Sequence, residues 1–284
     1  LASTVEHSDV EKAKLSLVRA FNLLKKFPDN ALKIQVLLKQ ASIAKTEKNF
    51  LIGLSFLGKA ELLVKNNSSD FIFDIYLLRA EIKLLQKIYD EAILSLEEAI
   101  FTAEQLKKSD PVLFFRLFNM KGQVYGKWGE NHLAITAYLQ AQHHVYSHSK
   151  QTKVRLWNNI AFIYSKLNDN YSAIKYFSRA FTILEKESTL SQKTKVLLDI
   201  SRSYKKVSLY GESLKFGHKA LKVAKNTNNE EFTLKALLHL SIIYRRLSSY
   251  DNALEYGLDA LSIYTKNNDF NGMSSSSNAI GLIY

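Results

Sequence analysis

The sequence contains no cysteine and only two prolines among its 284 residues. Without cysteine the chain cannot form disulfides, use a thiol in catalysis, or bind zinc or iron–sulfur clusters through thiolates. This absence is compatible with both the cytoplasm and the periplasm. No apolar run approaches the roughly 20 residues that a membrane-spanning helix needs. The sequence therefore predicts no membrane contact from this segment.

The short motifs of common catalytic sites are also missing. There is no glycine-rich phosphate loop, no nucleophile elbow and no metalloprotease signature. The serine run at residues 274–277 has no base nearby in sequence and fits a helix surface better than a nucleophile. His144 and His148 are four residues apart and could reach one metal ion, but no third ligand is evident. We therefore predict that this segment is not an enzyme and holds no metal or cofactor.

Positive charge is concentrated in the second part of the chain. The net charge is +12. Lys and Arg number 16 against 15 Asp and Glu in residues 1–110, and 23 against 12 in residues 111–284, so +11 of the +12 follows residue 110. Such an asymmetry indicates a surface that attracts anionic partners.

An internal repeat of about 40 residues runs through the chain. Its most regular feature is a small residue followed seven positions later by alanine, at steps of 40, 39, 42, 39, 40 and 40 residues. The seven alanines are Ala20, Ala60, Ala99, Ala141, Ala180, Ala220 and Ala260. Three positions earlier, the first five repeats carry a large apolar or aromatic residue, whereas the last two carry Gly217 and Gly257.

A second helical pattern lies between these stretches, with a small residue followed three positions later by tyrosine. The pairs are Gly122 and Tyr125, Ala161 and Tyr164, Ser201 and Tyr204, Ser241 and Tyr244, and Gly281 and Tyr284. Apolar residues one and four positions before the small residue complete a stripe at helical spacing. Each repeat is therefore predicted to be two amphipathic helices that cross at their small residues, because a bulky side chain there would separate the axes.

Turn and cap signals agree with an all-α fold. Ser109, Asp110 and Pro111 read as a helix cap followed by proline in the first turn. Asparagine-rich stretches at residues 168–170 and 226–230 separate predicted helices.

These features resemble the tetratricopeptide repeat family. The residues that carry the resemblance most fully are Trp157, Ile160, Ala161, Tyr164, Ala173, Phe177 and Ala180. The period of about 40 residues exceeds the family's usual 34. It is similar to that of long-helix relatives in bacterial peptide-sensing regulators and in sensory parts of bacterial signalling proteins. The resemblance implies a right-handed superhelical solenoid of antiparallel helix pairs, with residues 1–284 forming a single array of about seven repeats.

Both ends of the sequence fall inside a repeat. Residues 9–27 look like a second helix without its first, and Tyr284 ends a first helix without its second. A terminal helix of this kind exposes an apolar face that a neighbour normally covers. We therefore expect the natural polypeptide to continue beyond at least the C-terminus, as part of a larger protein.

Two columns of basic residues recur on the first helices, six positions before and five positions after the small residue. Positions eleven apart lie on the same side of a helix, and the resemblance implies that this side lines the concave groove. The columns are Arg116, Arg155, Lys195 and Lys235, then Lys127, Lys166, Lys206 and Arg246. Polar residues near the same face that could hydrogen-bond a peptide backbone are Asn119, Gln123, Asn158, Asn159 and Asn278.

We interpret these residues as a surface for a protein or peptide, with an acidic partner favoured by the charge. The segment would then be the sensory or regulatory part of a larger bacterial signalling protein, or alternatively a peptide-responsive transcriptional regulator. The alternative is that the basic columns bind no partner and are ordinary solvent-exposed helix faces.

Two more specific binding modes fit the sequence less well. The family's carboxylate clamp is matched only by Gln123, Asn159 and Lys195, because Asn119 and Asp199 replace expected basic residues. Nucleic acid would suit a basic groove, but the aromatic residues mostly occupy repeat-core positions. Trp128, next to Lys127, is the main exception.

Overall fold

The computed structural model describes residues 29–64, 70–145, 149–186 and 190–284, together with positions 12, 15–20, 22 and 24. Residues 9–27, predicted to form a helix, therefore lie partly outside the described residues, as does His148. From Asn30 onward these described ranges contain α-helices and no strands. The helices are α1 Asn30–Thr46, α2 Phe50–Val64, α3 Phe71–Leu85, α4 Tyr89–Gln105, α5 Pro111–Trp128, α6 Asn131–His143, α7 Lys150–Lys166, α8 Asn170–Glu185, α9 Leu190–Lys206, α10 Tyr210–Asn226, α11 Glu230–Arg246, α12 Tyr250–Lys266 and α13 Phe270–Gly281.

The helices are distributed over two compact units, residues 1–147 and 148–284. The first unit contains α1–α6 and the second contains α7–α13. Within each unit, an odd-numbered helix packs against the even-numbered helix that follows it, and each pair packs against the next. The all-α prediction is confirmed, whereas the single array over residues 1–284 stays a prediction. No described helix is both long and apolar enough to cross a lipid bilayer.

The small residues identified in the sequence lie at the centres of the helix pairs. The alanines from Ala60 to Ala260 in the repeat series are completely buried, and so is Ala161 on the facing helix. Tyr138 and Phe177, three positions before two of these alanines, are buried and fill the space beside the crossing. The predicted pattern of small and large residues therefore marks the positions where the two helices of a pair pack against each other.

Gly217 and Gly257 depart from this pattern for a reason that the structure shows. A Cβ atom at Gly217 would stand 2.9 Å from Cδ2 of Leu240, and one at Gly257 would stand 3.0 Å from Cγ1 of Ile280. The first helix of the next repeat thus supplies the apolar side chain at this place. Leu240 and Ile280 therefore fill the space that a large side chain at positions 217 and 257 would otherwise occupy.

The turn inside each helix pair contains one residue in the left-handed conformation. In five of the six turns this residue is not glycine: Lys48, Lys87, Asn168, Ser208 and Ser248 have positive φ angles, and Gly129 takes the sixth place. At Lys87, the backbone N–H donates to the carbonyl of Leu84 at 3.1 Å and that of Ile88 donates to Lys83 at 2.9 Å. These bonds satisfy the last carbonyls of the first helix and bring in the second helix after a very short connection.

Side-chain caps begin several helices where the sequence predicts them. The Asp110 carboxylate accepts a hydrogen bond of 2.8 Å from the Val112 N–H, and Pro111 follows in the first turn of α5. In the predicted asparagine-rich turns, Asp169 and Asn229 cap α8 and α11 in the same way.

The crossing residues leave no room for larger side chains. We expect Ala173→Phe to lower the free energy of unfolding by about 1–3 kcal/mol or more, because the ring would force α7 and α8 apart. Urea unfolding followed by circular dichroism measures this change. Lys175→Phe, at an exposed position of the same helix, is the control and should change stability by less than about 0.5 kcal/mol. Equal effects of the two changes would contradict the repeat register.

The left-handed turn positions allow a test in both directions. Lys87→Gly should raise the free energy of unfolding by about 0.5–1 kcal/mol, because relief of the left-handed strain exceeds the entropy that glycine loses on folding. Gly129→Ala should lower it by about 1–2 kcal/mol, since φ there is 103°. Both shifts are measurable as changes in Tm. A fall in Tm for Lys87→Gly would show that its side chain stabilises the turn.

Candidate partner-binding site

Every predicted partner-binding residue lies on the first helix of a pair. In the first unit, α5 carries Arg116, Asn119, Gln123 and Lys127; in the second, α7 carries Arg155, Asn158 and Lys166, α9 carries Lys195 and Lys206, and α11 carries Lys235 and Arg246. All eight basic side chains are exposed, and the three amide side chains are half-buried. Asn158 is notable because its Oδ1 is shielded from solvent and has no hydrogen-bond partner among the residues that the structure describes.

In the first unit the predicted basic surface is partly neutralised. Arg116 forms an ion pair with Asp74 at 2.6 Å, and Asp74 occupies the position on α3 that Arg116 occupies on α5. Trp128, considered above as a stacking platform, packs its ring against Tyr89 and Tyr125, with centroids 6.0 and 6.3 Å apart. Both residues therefore already have partners within this unit.

On α7, α9 and α11 of the second unit the equivalent column contains only basic residues. Arg155, Lys195 and Lys235 stand six positions before the small residues of α7, α9 and α11, so none of them faces an acid at the same place on a neighbouring helix. Lys235 instead contacts Glu231, one turn earlier on its own exposed helix face. The unit as a whole has 20 Lys and Arg against 11 Asp and Glu, a net charge of +9.

The C-terminal ends of α7, α9 and α11 carry a second set of basic residues, which are Lys166, Lys206 and Arg246. Lys206 Nζ on α9 donates to the Ser165 backbone carbonyl and hydroxyl on α7, at 3.2 and 3.1 Å. Lys166 Nζ lies 5.1 Å above the ring of Phe162, which is 56% exposed. Phe162 is a large apolar side chain on the polar face of α7, and the search for basic columns did not identify it.

Lys205 is the residue of this group that the sequence search missed most clearly. It is half-buried, and burial lowers the pKa of its ammonium group. The positive charges of Arg202, Arg246 and Lys206 lower that pKa further. Its position, four after the small residue, carries a basic side chain on α1, α9 and α11 but not on α3, α5 or α7. A search for basic residues that recur at one position in four successive repeats therefore does not identify Lys205.

Asp199 is a half-buried acid within this basic surface. Burial raises the pKa of its carboxyl group, while Arg202, Lys195 and Lys235 act in the opposite direction. Arg202 Nη1 lies 3.2 Å from the Asp199 carboxylate. Asp199 and Glu231 thus face a larger number of cations on α9 and α11, which leaves the surface positive.

A buried polar network lies beneath the basic surface, between α9, α10 and α11. The Ser201 hydroxyl donates to the Ser213 carbonyl at 2.6 Å, and the Ser213 hydroxyl donates to the Ser201 carbonyl at 2.7 Å. His239 Nε2 is 2.8 Å from the Ser201 hydroxyl. Since that hydroxyl proton is already used, Nε2 must be the donor in this contact. The serine–histidine pair is therefore structural, because the imidazole cannot act as a base toward Ser201 in this arrangement.

The histidines considered as metal ligands have other surroundings. His144 stacks against Phe114 and Phe118, with ring centroids 5.6 and 6.1 Å away, and burial lowers the pKa of its imidazole. Among the residues that the structure describes, no three His, Asp or Glu side chains are grouped so that they could hold a metal ion.

Sequence comparison identifies two repeats directly. The tetratricopeptide repeat family model matches residues 115–142 and 154–184, which cover most of the pairs α5–α6 and α7–α8. No curated protein sequence matches the chain.

Solved structures share the fold over most of the chain. The apo form of RapI has a TM-score of 0.72 and 17% identity, covering 88% of this chain and 70% of that one. The apo quorum sensor NprR from B. thuringiensis has a TM-score of 0.61 and 14% identity, covering 99% of this chain and 84% of that one. A Rap protein complexed with competence and sporulation factor has a TM-score of 0.54 and 17% identity, covering 88% and 71%.

These likenesses confirm the fold class as an all-α, tetratricopeptide-like solenoid of antiparallel helix pairs. Solenoids of this kind have extended surfaces on which partners can bind.

The network around His239 predicts a dependence of stability on pH. Burial, assisted by Lys205 and Arg202, lowers the pKa of His239 to about 3. In the unfolded chain the imidazole binds a proton below about pH 6.5. Unfolding therefore takes up a proton between these two pH values, and the free energy of unfolding falls as the pH drops through this range, by up to about 1.4 kcal/mol per pH unit.

The expected loss at pH 5 relative to pH 7 is about 2 kcal/mol from this group. His239→Gln keeps a donor near Ser201 but cannot be protonated, so urea unfolding at the two pH values should show a difference smaller by about this amount. His132→Gln, on an exposed residue of α6, is the control and should behave like the unchanged protein. An unchanged pH dependence in His239→Gln would show that the imidazole is not held neutral.

Proposed function

We propose that this chain is a protein- or peptide-binding scaffold whose second unit captures an acidic partner on the basic face of α7, α9 and α11. The partner-binding residues are the seven predicted in this unit, together with Arg202 and Lys205. The observation that carries the proposal is the gathering of Arg202, Lys206 and Arg246 around the half-buried Lys205. Like charges held together are stabilised when an anion binds among them.

The arrangement of these residues favours a peptide over a simple counter-ion. Arg155 and Arg202 can each present two parallel N–H groups to a carboxylate, and the lysines supply charge without a fixed direction. Asn158 and Asn159, half-buried on α7, offer amide groups for a peptide backbone. Phe162 adds an exposed aromatic ring, the kind of side chain that dominates binding energy at interfaces.

Structural neighbours support a regulatory role. One is called a quorum sensor and another was solved in complex with competence and sporulation factor. We infer that the array serves as the sensory or regulatory part of a larger signalling protein. A peptide-responsive transcriptional regulator is a second form of the same proposal, because in both the array binds a signal and another segment produces the output.

A nucleic-acid partner is less well supported by the geometry. Single-stranded binding relies on several aromatic side chains on which successive bases stack. On the basic face of the second unit, Phe162 is the exposed aromatic residue, and a lysine already covers its ring. We therefore treat nucleic-acid binding as the alternative result, which the binding experiment below distinguishes from peptide binding.

Replacing Arg155, Lys195 and Lys235 by alanine should weaken binding of a fluorescein-labelled peptide of alternating Glu and Gly by about 10- to 100-fold. This follows from the loss of about 0.5–1 kcal/mol for each of three exposed charge contacts. Fluorescence anisotropy at low and moderate salt measures the affinity, and the effect should shrink as salt rises. Circular dichroism and Tm should change little.

The matched control replaces Lys175, Lys222 and Lys266, which are exposed on the second helices of the same unit. This control changes the net charge equally, so equal weakening would show that only overall charge matters and would overturn the proposed surface. A parallel titration with labelled single-stranded RNA separates the two partner classes. Tighter binding of RNA than of the acidic peptide, lost in the same triple variant, would replace the peptide proposal.

A further inference from the structure

A pocket in the first unit has a different chemistry from the basic face of the second. It has a volume of about 550 Å³ and is lined mainly by α1 and α3, with Arg116 contributed by α5 and Leu17 by the segment before α1. This volume lies in the range of sites for small organic ligands, about 300–1,000 Å³. The repeat pattern does not predict it, because most of its lining residues are only partly buried or exposed and do not recur from repeat to repeat.

Half of the pocket lining is aliphatic or aromatic. The buried Val36 and Leu77 contribute to it, together with Leu17, Leu32, Leu38, Phe71 and Leu78. Leu38 and Leu78 are only partly buried, although they pack against the core of α1–α3. A ligand that covers them would remove further apolar surface from water.

The charged residues of the pocket are paired with one exception. Glu81 binds Lys45 at 2.5 Å and Asp74 binds Arg116 at 2.6 Å, so both acids of α3 are neutralised by bases on flanking helices. Lys39 also lines the pocket and has no acidic partner among the described residues. The pocket therefore combines an apolar surface with one uncompensated positive charge.

We propose that this pocket binds a small aliphatic carboxylate, with its alkyl chain against Leu38, Leu77 and Leu78 and its carboxylate on Lys39. A peptide main chain fits less well, because every N–H and C=O that enters needs a partner. Apart from the paired charges and Lys39, the lining offers only the side chains of Gln35 and Ser42 for this purpose. An alkyl chain has no polar groups to satisfy, and a single head group matches a single free cation.

Isothermal titration of the unchanged protein with hexanoate, octanoate and decanoate tests the proposal. Affinity should rise about fourfold for each added methylene, as expected for burial of an alkyl chain. Decanol should bind more weakly than decanoate, because it lacks the charge that Lys39 attracts.

Variants separate the head-group contact from the apolar contact. Lys39→Gln should weaken decanoate binding about fivefold and leave decanol binding unchanged, whereas Lys33→Gln, on the same helix but outside the pocket, should change neither. Ser42→Phe places a ring in the pocket and should abolish binding of both molecules, with thermal melting used to confirm folding. The variant with alanine at positions 155, 195 and 235 should bind decanoate normally. Failure of the pocket proposal can therefore be told apart from failure of the basic-face proposal.

Several results would overturn the proposal. These are absence of saturable decanoate binding, no dependence on chain length, an equal response of Lys39→Gln and Lys33→Gln, or persistence of binding in Ser42→Phe. A short peptide ending in leucine that binds this pocket when decanoate does not would assign the site to a peptide C-terminus instead.

Discussion

The close approach of paired helices at their small residues is the constraint on which the rest of the structure depends. Ala134 and Ala173 on second helices, and Ala161 on a first helix, are completely buried where the axes cross. Because two backbones can approach only where side chains are short, these positions fix the spacing of each pair. The spacing in turn decides where bulky side chains such as Phe177 must lie, and it requires a short turn with a left-handed residue to reverse the chain.

Serine at the crossing shows how far this constraint can be relaxed. Ser201 and Ser213 face each other twelve residues apart, and each hydroxyl donates to the backbone carbonyl of the other residue. Ser241 repeats the arrangement with the carbonyl of Ala253 at 2.7 Å. A buried hydroxyl is tolerated because its hydrogen bond is complete. His239 is accommodated for the same reason, since it donates to an oxygen that still has a free lone pair.

Much of the fold was predictable because the packing constraint is periodic and local. The small residues, the flanking aromatic residues and the cap at Asp110 each leave a signal within one helix length. The left-handed turns were not predictable in the same way, because lysine and serine occupy positions where glycine is the usual signal. The burial and short connection of the pair hold Lys87 and Ser248 in that conformation despite their side chains.

The candidate site was predictable only in part, because pairing between helices has no local signal. Arg116 was identified as basic, but its partner Asp74 lies 42 residues earlier. Lys205 was missed because its importance comes from cations on its own and a neighbouring helix, not from recurrence through the chain. The list of basic residues was therefore a good guide to position and a poor guide to net charge.

The acids explain why two units with the same packing can present different surfaces. The packing constraint leaves the outer face of each first helix free to vary. Six positions before the small residue, α3 has Asp74 where α9 has Lys195; one position after it, α3 has Glu81 where α9 has Arg202. On α3 both acids pair with bases from the flanking helices, which leaves apolar side chains as the available surface. On α9 the same two places add positive charge to neighbours that are already basic. Whether the outer face is basic thus depends less on the number of basic residues than on the acids that the middle helix supplies to neutralise them.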